Sequence, residues 1–539
     1  MRILVLGGYG GFGARLSRRL ATDGWQVLVA GRSKTAAAAL AAQLPGASAL
    51  VVDRMGDLEI ILRQERPFLL IDAAGPFQGD DGRVVRACIA ERVHYIDLAD
   101  ARDFVGAIGA FDAAARAAGI VVISGGSSVP ALSGAVVEEL AAGMDAVHCV
   151  DMSISASNRA TAGASVARAI LSYVGRPIEL WRGRRWVQAF GWQMVRRETY
   201  AVDGEAQIRR LVALADVPDH SILPEILPGK PSTTFRAGPE FGFQLLALWV
   251  LSWLVRWGGL SSLSGLDRWL LGLQGLTSAL GSDRSAVKIV VKGVVGEALH
   301  TRSWTLIANG GDGPEIPTLP AQILARELRE GRLLPGARHA GRLIALPAFR
   351  EQFAKLAIRE QAVSMRYQPL YQRVMGERFF DLPAPVRQMH SIIGDGGAAG
   401  TGTVTRGTSH MAHVTAIIMG FPPSGEHSVH VAFAENNGIE TWTRSFSGHH
   451  FQSRLSLAKG LLIERFGPMR FSFDLLSTPA GLQMVMRQWS IFHVPMPLAL
   501  APRSEAREWA EGEDFLFDVP IRLPLVGMIV HYHGRLRRL

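Results

Sequence analysis

The chain has 539 residues, 48% hydrophobic and 19% charged, with a formal net charge of +9. That balance excludes general disorder, and at roughly 100 to 200 residues per domain the length calls for about three domains. Cys88 and Cys149 are the only cysteines, too few for a disulfide scaffold and consistent with a reducing, cytoplasmic setting; the basic charge comes without an aromatic-and-basic recognition module, so nucleic acid is set aside as a partner.

Residues 1–145 alternate short β-rich runs with Ala- and Arg-rich helical segments, the pattern of βαβ units and a doubly wound parallel sheet, the Rossmann arrangement. Strands are predicted over 2–6, 26–30, 49–52, 69–73, 95–98 and 120–123, with helices over 11–22 and 34–44 among the connections. The opening run, Met1 to Leu6, is too short for a secretory leader and leads straight into glycines, so it is read as a strand.

Residues 146–365 read as a mixed α+β domain suited to substrate binding or dimerisation. Strands are predicted at 147–155, near 186–198, at 286–291 and at 299–308; helices are predicted over 161–174, within 241–280, and over 319–330 with Gly331 as a stop signal. The uncharged stretch 241–255 is shorter than the roughly 20 residues that span a bilayer. Trp249, Trp253 and Trp257 recur every four residues through its second half and just beyond it, and three alternatives stay open for that stripe: buried core, a homodimer interface, or a face for an apolar substrate or peripheral membrane contact through 241–280.

Residues 366–539 alternate apolar and polar positions over 429–434, 440–446, 451–457, 470–476, 481–492 and 515–521, which makes this domain mostly antiparallel β. Asn437-Gly438 is a type I′ hairpin signal, because both central positions need positive φ. Such a domain could hold an apolar group or cover a neighbouring site. His410 with His413, and His531 with His533, have spacings that bring two imidazoles to one face, but no companion Cys or carboxylate is fixed by spacing, so no metal is expected.

The chemistry is concentrated near the N-terminus. Gly7-Gly8-Tyr9-Gly10-Gly11-Phe12-Gly13 follows the first strand and opens a helix, with Gly8, Gly10 and Gly13 in G-x-G-x-x-G register. Gly8 is read as permitting the tight turn, Gly10 as admitting the pyrophosphate, and Gly13 as letting helix and strand pack closely. The helix N-terminus then offers N–H groups and a positive dipole end to phosphate. At the end of the second strand, where an NAD enzyme presents a carboxylate to the ribose, stand Arg32 and Ser33. These groups suit a 2′-phosphate, so NADP is favoured over NAD, with a solvated surface Arg as the structural alternative. Ala74, Gly75 and Pro76 are placed at the carboxyl edge of the sheet on the nicotinamide side, and Asp53 near the adenine or in an ordinary turn. Tyr95, Asp97 and Asp100 are the candidate acids and bases, with packing and capping as the alternatives. Cys88 lies in an apolar helical pattern and is read as core.

The glycine loop, together with Ala74-Gly75-Pro76-Phe77, Val84-Val85-Arg86-Ala87-Cys88, His94-Tyr95-Ile96-Asp97-Leu98-Ala99-Asp100 and Gly126-Ser127-Ser128-Val129-Pro130-Ala131-Leu132-Ser133, resembles the saccharopine dehydrogenase-like family over about residues 1–350. Leu319-Pro320-Ala321 and Leu333-Leu334-Pro335-Gly336-Ala337 resemble its closing segment. The resemblance implies hydride transfer between NADP(H) and a small-molecule substrate, of imine or apolar type, bound between the first two domains. The remainder, including Gly420-Phe421-Pro422-Pro423-Ser424-Gly425 and Arg465-Phe466-Gly467-Pro468, resembles domain of unknown function 4166, which implies a bacterial fusion. The rival reading is a non-catalytic nucleotide-sensing or lipid-binding protein, peripheral at the inner face of a membrane.

Overall fold

Apolar runs that end in small residues form the N-terminal strands, and alanine-rich segments form the helices between them. The protein, in a computed structural model, is described at all residues except 160–163, 261–262, 264–271, 273–274, 276, 479 and 525; the side chains of 164–166 are likewise outside the description. The N-terminal elements used below are β1 (Arg2–Leu6), α1 (Gly11–Thr22), β2 (Gln26–Gly31), α2 (Lys34–Ala41), β3 (Ser48–Val51), β4 (Leu69–Asp72), β5 (His94–Asp97) and β6 (Val121–Ser124). Each expected strand is present, with ends shifted by a residue or two. A seventh strand, Gly336–His339, joins from far along the chain, giving the all-parallel order Gly336–His339, β6, β5, β4, β1, β2, β3. The order reverses between β1 and β4, and open α/β sheets bind ligands in the crevice at such a reversal. Helices cover both faces, which is why β1, β2 and β4 are apolar on both sides.

The middle sheet is mixed, in the order Arg196–Tyr200, Ile208–Leu214, Ser232–Gly238, Ala146–Ser155, Ser285–Val295, Ala298–Ala308, Ile358–Arg366. One face places Met152, Phe235, Ile289 and Trp304 in a core shared with the first sheet. Strand alternation sends Asp151, Arg196, Arg236 and Lys292 to the other face, where Asp151 accepts hydrogen bonds from Arg196 (2.5 Å) and Arg236 (2.8 Å). The C-terminal domain docks on that polar face. Lys292 Nζ meets Glu435 at 2.6 Å, Arg182 approaches Asp395 at 3.7 Å, and the chain passes so close at Gly397 that a Cβ there would lie 2.7 Å from the Gly183 carbonyl. The expected helix over 161–174 appears as Ala164–Ser172, its predicted start lying outside the described residues. The apolar stretch forms Gly242–Arg256; most of residues 261–276 also lie outside them. Gly331 stops the helix Leu319–Arg329 at φ +70°. No described helix is long and apolar enough to cross a membrane.

The C-terminal strands close into an antiparallel barrel of ten, because Met469–Thr478 pairs with both Leu461–Phe466 and Gly481–Ile491. A short strand, Val494–Met496, hangs on its side. The Asn437-Gly438 turn has φ of 51° and 78°, as the hairpin signal requires. Four of the ring strands were not expected. Asp395–Arg406 is rich in Gly and Ala, and it is held in the sheet by partners on both sides. Leu461–Phe466, Arg507–Glu511 and Gly527–Arg538 are strands of weak alternation or strong charge. The interior is filled by the barrel's own rings: Phe446 meets Tyr532 at 5.9 Å although their strands are not neighbours, and Phe451 meets Tyr532 at 6.1 Å. Phe446 is 1% exposed, so Phe446→Ala should cost about 3 to 5 kcal/mol, read as a lower denaturant midpoint of the C-terminal domain's tyrosine and tryptophan fluorescence transition.

Candidate functional site

The carboxyl ends of β1, β2, β4, β5 and β6 form one edge, and the expected cofactor residues gather there. The turn after β1 takes its left-handed residue at Gly7 (φ +70°), not at Gly8. Gly8 is needed for proximity instead: its N–H donates to the Ala30 carbonyl at 3.0 Å, and a Cβ would lie 2.8 Å from the Val5 carbonyl. At Gly13 a Cβ would fall 2.1 Å from the Gly7 carbonyl, so only glycine lets α1 start this close to the loop. Gly10 caps α1 with extended backbone and no side-chain hydrogen bond, and the first turn holds no acidic residue. The leading N–H groups, at Gly11, Phe12 and Gly13, are therefore left for a ligand.

Gly7 packs on Ala73 and Ala74, with a notional Cβ 3.0 Å from each. The loop and the Ala74-Gly75-Pro76 turn thus flank one crevice between β1 and β4. Tyr9 spans to the other side: its hydroxyl accepts from the Ser33 N–H at 2.8 Å, and its ring lies against Gly31. Arg32 is exposed and, among the described residues, in no ion pair. Ser33 caps α2 by accepting from the Ala36 N–H at 3.3 Å, and the exposed Lys34 beside it is a second cation that no sequence motif marks. Asp53 takes the turn alternative, its Oδ1 accepting from the Met55 N–H at 3.0 Å. Arg54, equally unmarked by motif, pairs with the buried Asp72 at 2.9 Å and with Asp80, and lies over the Phe77 ring. It pins the 72–80 loop that carries Gly75 and Pro76.

The three acid–base candidates separate. Tyr95 is wholly buried in the core with Leu70, Val84 and Cys88. Its hydroxyl has no partner among the described residues, and burial pushes the phenol well above its ordinary range. A phenol so enclosed is placed as a packing side chain, the alternative that the sequence left open. Cys88 is buried in the same cluster, as expected. Asp97 is also buried, and its Oδ1 accepts from the Ala99 N–H (2.9 Å), the Ser124 hydroxyl (3.0 Å) and the Gly125 N–H (2.8 Å). It clamps the end of β5 to the loop after β6. Asp100 is exposed at the edge and hydrogen-bonded to Gln78.

Opposite the edge lies the middle domain. A narrow apolar cavity is lined by Ser128, Val129, Leu132 and Ser133 on one side and by Met152, Ile154, Phe235, Val287 and Ile289 on the other. Beneath it the buried Asp219 accepts from the Ser133 hydroxyl at 2.6 Å, and burial lifts its carboxyl to about 6. Arg102 binds the two domains, donating to Ser221 (2.6 Å) and the Glu179 carbonyl (2.7 Å) and approaching Asp216 (3.4 Å). Asp219 and Arg102 were unreadable in the sequence, and Ser133 stood in the Gly126–Ser133 motif without a role, since each acts across a separation that no local pattern encodes.

Burial lifts the Asp97 carboxyl to about 7 against three hydrogen bonds that lower it. Because its folded value is raised, its contribution is favourable below the unfolded value of about 4 and is lost as pH rises to about 7. Asp97→Asn keeps an acceptor for the three donors and cannot ionise. It should therefore flatten the decline of stability between pH 4 and 7, by on the order of 4 kcal/mol for a shift of this size, in urea titrations across that range. A wild-type slope would contradict the assignment.

Residues 3–123 match the model of the saccharopine dehydrogenase NADP binding domain, and residues 382–536 match domain of unknown function DUF4166. No curated protein matches the chain. Among solved structures, GenD2 from gentamicin A biosynthesis in complex with NAD is 17% identical, with 56% of this chain and 71% of that one covered and a TM-score of 0.28. Amine dehydrogenase from Mycobacterium smegmatis is 13% identical, with 62% and 94% covered and a TM-score of 0.34. Yeast methylglyoxal/isovaleraldehyde reductase Gre2 complexed with NADPH is 18% identical, with 18% and 37% covered and a TM-score of 0.17. Likenesses this distant carry no argument about the chain. The two domain matches do: the chain joins an NADP-binding domain of saccharopine dehydrogenase type, which places it among the NAD(P)-dependent oxidoreductases, to a DUF4166 domain.

Proposed function

We propose that the protein binds NADPH across the β1–β4 crevice and transfers hydride between it and a substrate held against the middle sheet. The observation that carries this reading is the contact of Gly13 with Gly7, which sets the uncapped N-terminus of α1 beside the crevice with Arg32 and Lys34 one strand away. In this reading the pyrophosphate lies on the first turn of α1, at Gly10, Gly11 and Phe12. The 2′-phosphate meets Arg32 and the N-terminal turn of α2, and the nicotinamide lies along Ala74, Gly75 and Pro76. Bound NADPH supplies the hydride. Tyr9 and Arg54 position the two loops, and the apolar side chains of Met152, Ile154 and Phe235 keep water out on the middle-domain side, where an imine-type or apolar substrate would lie. Of the three acid–base candidates, Asp100 alone is open to solvent at the edge and takes the role of proton donor or acceptor.

Fluorescence titration of the full chain with NADPH and NADH tests the cofactor assignment. NADPH should bind more tightly, and Arg32→Ala should lose on the order of tenfold in NADPH affinity, the worth of one charge-assisted phosphate contact, with little change for NADH. Gly10→Val should abolish binding of both in a folded protein. Equal affinities for the two nucleotides, unaltered by Arg32→Ala, would remove the NADP assignment.

A second reading rests on the helix Gly242–Arg256. Its buried side is Leu245, Leu248, Ser252 and Val255, while Phe243, Leu246, Val250 and Leu254 follow one another at helical spacing on an exposed side that continues to Trp257. Trp249 and Trp253 lie between the two sides, half-buried. Such a face suits peripheral contact with a membrane. If it serves that purpose, the protein should sediment with anionic vesicles, and Val250→Ser with Leu254→Ser should reduce the bound fraction severalfold; wild-type protein left in the supernatant would dismiss it.

A further inference from the structure

The spacing of His531 and His533 lacks a third ligand in sequence, and the register of the barrel supplies one. The two histidines alternate with the buried Tyr532 on the strand Gly527–Arg538, so both side chains stand on the outer wall. The neighbouring strand Asp514–Leu523 pairs Asp518 directly with His533 and sets Pro520 opposite His531. One potential ligand atom from each of Asp518, His531 and His533 lies within 4.8 Å of the other two. His531 Nε2 is 2.5 Å from Asp518 Oδ1, and the two imidazole rings are 5.3 Å apart at 42°.

We propose that Asp518, His531 and His533 form a binding site for a divalent transition-metal ion of the Zn2+ class. Two imidazole nitrogens and one carboxylate oxygen suit borderline ions, and they disfavour Mg2+ and Ca2+, which take oxygen-only sets. With bonds of about 2.0 to 2.2 Å the ligand atoms around one tetrahedral ion lie about 3.3 Å apart, so small side-chain rotations close the set on a backbone that the barrel fixes. The basic residues further along the same outer face do not compete for the carboxylate, because Arg535 and Arg537 are both held by Asp514. His533 is exposed and the other two are partly so, which leaves the fourth position open to water or an external ligand. By contrast, His410 and His413 stand exposed on one helix and join no such group among the described residues. Spacing along one strand could not bring Asp518 to the two histidines, because it stands on a different strand.

The test is competition for Zn2+ between the full-length apo-protein and a chromophoric chelator, with Co2+ absorption as a second readout. The wild type should take up one equivalent at this site, and Asp518→Asn and His533→Gln should each weaken it at least about tenfold and abolish the Co2+ ligand-field bands. His410→Ala with His413→Ala should bind as the wild type does. His533→Gln changes an exposed side chain, so it remains informative if Asp518→Asn fails to fold. Binding in His533→Gln equal to that of the wild type, or no binding by the wild type at micromolar Zn2+, overturns the proposal.

Discussion

The site depends on one steric constraint: the carbonyl of Gly7 occupies the space in which any side chain at position 13 would begin. With glycine there, α1 starts directly against the loop after β1, and Ser17 ties the helix back to the Gly8 carbonyl at 3.1 Å. The first turn of the helix then points its unused N–H groups at the point where strand order reverses. Everything proposed for phosphate binding depends on that placement. A methyl group at Gly13 would push the helix outward, and Tyr9, Ala74 and the α2 turn would no longer frame one crevice.

The surrounding charges act mainly as clamps. Asp97 holds β5 to the loop after β6, Arg54 holds the loop after β4, and Arg102 holds the first domain to the second. A buried ion pair such as Arg54–Asp72 contributes little net stability, because desolvation offsets attraction, but removing one partner strands the other without a counter-charge. The effect of these clamps is to fix loops at the sheet edge, where the proposed hydride transfer would need substrate and nicotinamide held in a single geometry. The barrel is fastened in the same manner, by Lys292 and Glu435, to the polar face of the middle sheet.

Much of the first domain was legible because parallel strands buried on both faces give unbroken apolar runs and because glycine marks its own positions. The same double burial hid the side on which a residue falls: Tyr95 and Asp97 share a strand and are both enclosed, so periodicity could not separate solvent-facing groups from packed ones. The side chains of Asp53 and Ser33 are engaged in local backbone turns that compete with ligand contacts, which their residue types alone do not reveal. In the barrel, Asp395–Arg406 escaped notice because Gly and Ala have low strand propensity and the strand is held by pairing partners remote in sequence. Asp518 escaped for a related reason, since a cross-strand neighbour is set by register.

Hydrogen–deuterium exchange of the full chain with and without NADPH locates the nucleotide most directly. The account predicts slowed exchange in three segments, the backbone of 8–14, 31–36 and 73–78, and no change in the barrel. Protection absent from the 8–14 segment, or centred on the C-terminal domain, would contradict it.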